Sequence, residues 1–234
     1  MAKMTNNRLF KLSPSDFKYL WEDCKHCFYQ KVVNGIELPS IGIPGIFMKM
    51  NSILQNSVQG TNPRDLHPDL PNGIFELQER YLKSMAIPSK NTSYVSGKFD
   101  LLTRLKDGTH GVIDLKITDP KEDNIYKFKH QLHAYKFALE NPAEGTRRYA
   151  DKITKMGLMV LSPNEVKFHN DHLHFLAKPH WIEIEENMAE FFAFIDEVTS
   201  VLEGPLPEPT EKCKWCIYRA RFGNGENKVD DLPF

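Results

Sequence analysis

The sequence predicts an α/β fold, α+β in stricter usage, with a mixed central β-sheet flanked by helices. Three observations support this prediction. Residues 99–117 form two apolar runs around an Asp-Gly turn, which is typical of a β-hairpin. Residues 126–139 and 186–202 carry apolar side chains at helical spacing, and a compact apolar run at 156–161 indicates a buried strand.

Composition limits the class of protein. The chain has 234 residues, of which 41% are hydrophobic and 26% charged, so it can form one sizeable core. We expect a single domain over residues 1–234, with its core at about 72–200. The net charge of -1 argues against a protein that coats nucleic acid non-specifically. The absence of a long apolar run or a signal-like N-terminus predicts no membrane association and a cytoplasmic location.

The two ends of the chain each carry a pair of cysteines. Ser13 to Asp16 predicts a helix start, and the helix is expected to run to about Val33 with Cys24 and Cys27 on one face. Cys213 and Cys216 repeat the C-x-x-C spacing after a proline-rich turn. Four cysteines in a cytoplasmic protein favour metal ligation or inert packing over disulfides. If all four meet, residues 12–33 and 205–222 pack together, and four thiolates suit either zinc or an iron-sulfur cluster.

The remaining segments give weaker signals. Residues 47–58 predict a helix that buries Met48, Ile53, Leu54 and Val58, and residues 75–86 predict a short helix or a strand-helix transition. Residues 166–168 and 180–184 predict further strands, and we expect the aromatic stripe of the 186–202 helix to be core. A group of histidines lies in a polar segment at a spacing that fits no metal site, and we interpret it as surface: His169, His172 and His174.

Charged residues interrupt the hairpin at three positions. Asp100 lies in the first strand, and Asp114 and Lys116 lie two apart on the second, so these two share a face. Two carboxylates that bind Mg²⁺ or Mn²⁺, with a lysine beside them to position water, are suited to phosphodiester hydrolysis. The alternative is a solvated Asp-x-Lys pair on an edge strand.

The following helix adds a third motif. Gln131 and Tyr135 lie one turn apart on the same face. The series Gly97-x-x-Asp100, Asp114-x-Lys116 and Gln131-x-x-x-Tyr135 resembles the PD-(D/E)xK nuclease superfamily. More narrowly it resembles the RecB-like exonuclease branch, which includes iron-sulfur CRISPR-associated nucleases. The resemblance implies that Asp100, Asp114 and the backbone carbonyl of Leu115 bind the catalytic metal, and that Gln131 and Tyr135 contact DNA or brace the site.

The same resemblance bears on the cysteines. In the iron-sulfur branch one N-terminal cysteine and three C-terminal cysteines hold the cluster, and Cys24, Cys213 and Cys216 match three of these positions. Phe222 stands at the fourth, so Cys27 is expected to complete a 4Fe-4S cluster, with structural Zn²⁺ as the alternative. The branch also places a histidine or glutamate ligand on a helix before the hairpin. The neutral Asn51 and Gln55 and the loop residue His67 are the nearest candidates here.

Together these features predict a metal-dependent DNA exonuclease that acts on single strands or duplex ends in recombination or repair, with recombination or replication proteins as candidate partners. The short chain is consistent with a virus-encoded enzyme acting in the host cytoplasm. We expect a locally basic rim for DNA around the hairpin, formed by Lys98, Arg104, Lys116, Lys121, Lys127, Lys129 and His130. The alternatives are a non-catalytic nucleic-acid-binding or assembly module with this fold, and a zinc-stabilised scaffold.

Overall fold

The computed structural model describes residues 9–38, 44–88, 92–119 and 126–222. Its elements in chain order are β1 (Phe10–Leu12), α1 (Pro14–Asp16), α2 (Lys25–Asn34), α3 (Gly45–Val58), β2 (Gly73–Ala86), β3 (Ser93–Leu105), β4 (His110–Ile117), α4 (Lys129–Glu140), β5 (Ile153–His169), β6 (His172–Glu183), α5 (Met188–Glu203) and α6 (Lys214–Phe222). A π-helical turn (Phe17–Trp21) continues α1, and 3₁₀ turns cover Pro63–Asp65 and Tyr126–Phe128. The predicted fold class, with a mixed sheet and flanking helices, is confirmed.

The sheet has the order β1-β3-β4-β5-β6, and β2 also pairs with β3. The β1–β3 and β4–β5 pairs are parallel, and the other pairs are antiparallel. The predicted hairpin is confirmed, with register from Leu101↔Ile113 to Arg104↔His110. β2 follows one edge of β3, whereas the other edge pairs with β1 at residues 93–95 and with β4 at residues 101–104. Between these two pairings, residues 96–100 of β3 pair with no other described strand on that edge, and Asp100 lies there.

The helices cover the two faces of the sheet unequally. The larger core joins the N-terminal helical residues, α4 and α5, with Phe17, Leu132 and Ile195 fully buried. A smaller core lies under α3, where Leu54 and Val58 contact a cluster that includes Ile113, Leu115 and Met159. Because side chains alternate along a strand, Ile113 and Leu115 face α3 while Asp114 and Lys116 face α4.

The predicted N-terminal helix is interrupted. α1 passes into the π turn, and Cys24 then takes an extended conformation with φ of -163° before α2 begins at Lys25. The Ser13 side chain makes no capping hydrogen bond; the Asp16 N–H is bonded instead to the Ser13 backbone carbonyl at 3.0 Å. The interruption lets aromatic side chains on both sides of it, including Phe17, Trp21 and Phe28, enter one core.

Two predictions for the segments before the hairpin are wrong. Residues 75–86 belong to strand β2, because the strand containing them pairs antiparallel with β3 from Gly73↔Leu105 to Ala86↔Tyr94. In α3, Leu54 and Val58 face inward as predicted, but Met48 and Ile53 are 63% and 58% exposed. Only a narrow stripe of α3 contacts the sheet, so helical spacing overestimates what the helix buries.

The C-terminal half follows the prediction more closely. The expected strands merge into one long hairpin, β5–β6, whose outer part is exposed on both faces and carries the three histidines near its tip. Helix α5 buries the predicted stripe through Phe191, Ile195, Val198 and Leu202. None of the described helices has the length and apolar character needed to cross a membrane.

Candidate active site and four-cysteine site

Asp100 lies where β4 separates from β3. The backbone pairing of the two strands ends at Leu101↔Ile113. Beyond that point the Leu115 N–H, which continues to face β3, donates to Oδ2 of Asp100 at 2.9 Å. The carboxylate therefore replaces a backbone acceptor, which holds Asp100 next to Asp114. Gly97 lies three residues earlier under the N-terminal segment, where a Cβ atom would approach Cδ of Pro14 to 3.0 Å.

Asp114, Lys116 and Gln131 form a connected group on the α4 face. Asp114 is 1% exposed, and its Oδ1 accepts from Nε2 of Gln131 at 3.0 Å. The same Nε2 donates to the hydroxyl oxygen of Tyr135 at 3.1 Å. Oδ2 of Asp114 forms an ion pair with Nζ of Lys116 at 2.6 Å and has no other polar partner among the described residues. The structure thus brings together Asp100, Asp114, Lys116, Gln131 and Tyr135.

The electrostatics of the group indicate excess negative charge around the carboxylates. Burial, and then the charge of Asp114, raise the pKa of Asp100 to about 7. Burial acts to lower the pKa of Lys116, but the charges of Asp114 and Asp100 outweigh it and raise that pKa. Burial and the same two carboxylates raise the pKa of Tyr135. A divalent cation would offset both the burial of the Asp100 carboxylate and its repulsion by Asp114, and so lower the pKa of Asp100.

The four cysteines form the second candidate site. Their sulfur atoms all lie within 4.8 Å of one another, and all four residues are buried and unbridged. Sγ of Cys27 lies 3.6 Å from Sγ of Cys213 and 3.7 Å from Sγ of Cys216, and Sγ of Cys24 lies 3.6 Å from Sγ of Cys216. The predicted meeting of the two C-x-x-C pairs is confirmed.

The surroundings of the sulfurs suit thiolates. Burial raises the pKa of the Cys24 and Cys27 thiols, so without a metal these two stay protonated. Burial acts in the same direction on Cys213, but hydrogen bonds from the backbone N–H of Cys216, from other cysteines and from the backbone N–H of Trp215 lower its pKa on balance. A guanidinium nitrogen of Arg219 also donates to Sγ of Cys27 at 2.8 Å. These donors would stabilise negative charge on a metal-bound tetrathiolate.

Comparison with known proteins identifies the family. The family description "PD-(D/E)XK nuclease superfamily" matches residues 59–221, which contain both site strands, α4 and the C-terminal cysteines. The chain belongs to this superfamily. No curated protein matches the chain significantly. A solved structure described as "Crystal structure of SSO0001" is similar over 94% of this chain and 87% of that one, at 15% identity and a TM-score of 0.44. That similarity is too low to support an inference.

Membership of the PD-(D/E)XK superfamily suggests a nuclease, generally metal-dependent. The candidates for a further metal ligand before the hairpin, Asn51, Gln55 and His67, all lie away from the carboxylate pair. Gln55 is buried in α3 with its Nε2 unpartnered, and α3 packs on the face of β4 opposite to Asp114. His67 contacts Asp69 in the loop before β2. The structure shows no contact of Asn51, Gln55 or His67 with the carboxylate pair among the residues it describes.

A third carboxylate near the site was missed by sequence reasoning. Glu79 lies opposite Asp100, between the register pairs Gln78↔Leu101 and Arg80↔Phe99, and its charge contributes to the raised pKa of Asp100. Its φ of 45° is unusual for a residue within a strand. Residues 75–86 were predicted as a short helix or a strand-helix transition, and neither places Glu79 near Asp100. The antiparallel pairing of β2 with β3 brings the two residues together.

The predicted basic rim is only partly present. Arg104 pairs with Glu76, and Lys129 pairs with Glu190. His130 stacks on Phe194 at 3.7 Å between ring centroids, and burial lowers its pKa to about 4, so it is neutral. Lys121 lies outside the described residues. Of the predicted set, the structure ties only Lys116 to the carboxylate pair.

Proposed function

We propose that this chain is a metal-dependent DNA exonuclease of the RecB-like branch, which hydrolyses phosphodiester bonds at DNA ends or in single strands during recombination or repair. The observation that carries the proposal is the buried carboxylate of Asp114. It lies beside Asp100, pairs with Lys116 and is held by Gln131, and its Oδ2 has no partner other than Lys116 among the described residues. A solvated surface pair would not be 1% exposed and would not be held by a buried amide.

The residues present fit a divalent metal. Asp100, Asp114 and the backbone carbonyl of Leu115 offer oxygen ligands, which Mg²⁺ and Mn²⁺ prefer. The Oδ2 of Asp114, which has only Lys116 as a partner among the described residues, and the raised pKa of Asp100 are both expected of a carboxylate pair built to share a cation. A bound ion would lower the pKa of a water molecule and neutralise charge on the scissile phosphate. Glu79 is the candidate for a further carboxylate ligand in place of the missing helix residue.

Each remaining side chain has a role that its contacts support. Lys116 holds its proton firmly beside Asp114, so it would orient the attacking water or stabilise the phosphate as charge builds. Gln131 fixes the orientation of Asp114 through one N–H and reaches Tyr135 through the same amide nitrogen. Tyr135 keeps its proton and would brace the amide or donate to DNA.

The second candidate function is a nucleic-acid-binding or assembly module that retains the fold without catalysis. The observation that favours it is the absence, among the described residues, of a histidine or carboxylate on α3 in contact with the site. The zinc-stabilised scaffold is less well supported, because superfamily membership and the buried Asp114 argue against an incidental Asp-x-Lys pair.

We further propose that the cysteines bind a metal. A 4Fe-4S cluster follows from the resemblance to the iron-sulfur nucleases. Three of the sulfur separations are 3.6 to 3.7 Å and all lie within 4.8 Å, which instead supports a single tetrahedral ion such as Zn²⁺, since Zn–S bonds of about 2.3 Å place sulfurs about 3.8 Å apart. A cluster puts a different iron under each sulfur and needs wider spacing. Anaerobic purification with an absorption spectrum and metal analysis separates the two: brown protein with iron supports the cluster, and colourless protein with one zinc supports the ion.

The nuclease proposal is tested with end-labelled linear DNA, single- and double-stranded, incubated with Mg²⁺, Mn²⁺ or chelator. We expect metal-dependent release of short products, lost in Asp114→Asn and in Lys116→Met and reduced in Glu79→Gln. Lys106→Ala, an exposed lysine on the turn of the same hairpin, is the control and should cleave like wild type. A wild-type protein that binds DNA but never cleaves it would favour the binding module.

The exonuclease mode needs a separate comparison. Circular single-stranded DNA of the same sequence has no ends, so an exonuclease leaves it intact while degrading the linear form. Equal cleavage of the linear and circular forms would support nuclease activity and contradict the proposal that cleavage begins at DNA ends.

A further inference from the structure

The π turn places a second lysine beside the candidate active site. Lys18 is half-buried, and its Nζ lies 3.4 Å from the centroid of the Phe128 ring. Nζ of Lys116 lies 5.0 Å from the same centroid. Two ammonium groups therefore lie against one ring, and the ring belongs to the 3₁₀ turn that leads into α4.

Lys18 forms no ion pair within the described part of the chain. No carboxylate there lies within ion-pair distance of Nζ, in contrast to the neighbouring Lys25 and Lys31, which pair with Glu197 and Asp16. Burial and then repulsion from Lys116 lower the pKa of Lys18 to about 8, although the more distant charges of Asp114 and Asp23 act in the opposite direction. A half-buried ammonium group that contacts a ring but forms no ion pair, next to another ammonium group, is suited to bind an anion.

Phosphate is the anion that the location favours. The Phe128 ring and the exposed Tyr19 ring, 6.5 Å apart between centroids, flank the two lysines. An exposed ring beside cations suits a nucleic-acid strand, since the cations bind its backbone phosphates and the Tyr19 ring, 55% exposed, can stack with a base. Phe128 is buried and supports the two lysines from beneath. Lys18 also lies outside residues 59–221, so the superfamily match does not assign it a role.

We propose that Lys18 is a phosphate-binding residue of the active site, supplied by the N-terminal segment, which holds the phosphodiester backbone of the DNA strand next to the carboxylate pair. The inference rests on the proposed nuclease function and adds a substrate contact to it. The two lysines would have different roles. Lys116 would act at the phosphate that reacts, and Lys18 would bind the backbone of the same DNA strand beside the carboxylate pair.

The four-cysteine site adjoins the turn that carries Lys18 and helps to anchor it, together with the buried Phe17 and Trp21 of the same turn. Lys18 lies in the π turn, and the backbone N–H of Cys24 donates to the carbonyl of Leu20 at 2.8 Å, directly after that turn. Gly97 supports the other end of the segment by leaving space for Pro14. The cysteines thus help to hold in place the segment that brings Lys18 to the active site.

The test compares Lys18→Met, Lys18→Arg and Lys25→Met. Lys25 is the matched control, because its ammonium group also lies over an aromatic ring, Trp21 at 4.5 Å, but is paired with Glu197. Binding of a short fluorescent single-stranded oligonucleotide is measured with chelator over a series of salt concentrations. We expect Lys18→Met to bind about 3- to 10-fold more weakly at low salt and to lose about 0.7 from the slope of log K against log salt.

The control variant should keep the wild-type affinity and slope, and Lys18→Arg should restore both, because it retains the charge. A purely structural role would not change the salt slope, and thermal melting shows whether each variant is folded. If Lys18→Met behaves like Lys25→Met while the wild type cleaves DNA, this inference is wrong and the nuclease proposal stands. If the wild type neither binds nor cleaves DNA, both are wrong.

Discussion

Replacing Cys27 by serine should reveal whether the four cysteines act as one metal site. In a metal site, Cys27 helps to cross-link positions 27 and 213, which lie 186 residues apart in the chain. The chain-entropy treatment of a cross-link closing a loop of that length gives about 5 kcal/mol of stabilisation. Since 1 kcal/mol shifts the Tm of a chain this size by about 2 to 4 °C, loss of the site should lower the Tm by about 10 to 20 °C.

The assay is thermal unfolding followed by circular dichroism, combined with metal analysis of each purified variant. Cys27→Ser should lose the metal together with the stability, and chelator should destabilise wild type but not the variant. Adding Cys216→Ser to Cys27→Ser should cost little more, because the site is already lost. If the four cysteines are instead buried side chains that share no metal, the two substitutions should lower stability independently and chelator should have no effect on wild type. If the two losses simply add, and no protein contains metal, the metal-site reasoning is refuted.

Three further predictions concern α4 and its surroundings. The contribution of His130 to stability should fall as pH drops from about 6.5 to about 4, because the unfolded chain binds a proton that the buried imidazole takes up only near its pKa of about 4. The raised pKa of Asp100 acts in the opposite direction over the same range, so the His130 contribution is measured as the difference between wild type and His130→Phe, which can still stack on Phe194, in a urea-denaturation pH series. Gln131→Ala should lower kcat more than 10-fold with little change in oligonucleotide affinity, whereas equal cleavage rates would contradict its positioning role. Gly97→Ala should push Pro14 from the sheet and reduce cleavage without abolishing metal binding, as measured by kcat/KM and metal content.

Local sequence signals predicted the parts of the site that depend on local structure. Asp114 and Lys116 share a face because of strand alternation, and Gln131 and Tyr135 share a face because of helix periodicity. Both relations hold inside one element, so spacing was sufficient. The cysteine pairs were predictable for a different reason: a repeated C-x-x-C spacing is typical of four thiolates that share one metal.

The features that were missed depend on contacts between distant segments. Residues 75–86 form a strand because the edge of β3 is available to them, and no pattern within those residues states this. Glu79 lies near Asp100 because β2 pairs with β3. Lys18 lies near the site because it belongs to the π-helical turn between α1 and α2. Arg104 and Lys129 looked like DNA-binding cations because their partners, Glu76 and Glu190, are remote in the sequence.

The positions of the cysteines also set an order of events during synthesis. The ribosome needs about 10 to 40 s to make the residues between Cys27 and Cys213 at 5 to 20 residues per second. Strands β2 to β6, the carboxylate pair and α4 are all made within that interval, while the N-terminal pair of thiols has no partner. The pairing of β1 with residues 93–95 of β3 can form early, but the four-cysteine cross-link can form only after Cys213 and Cys216 are made. A growing chain that has not reached Cys213 therefore lacks this anchor for the segment that carries Lys18.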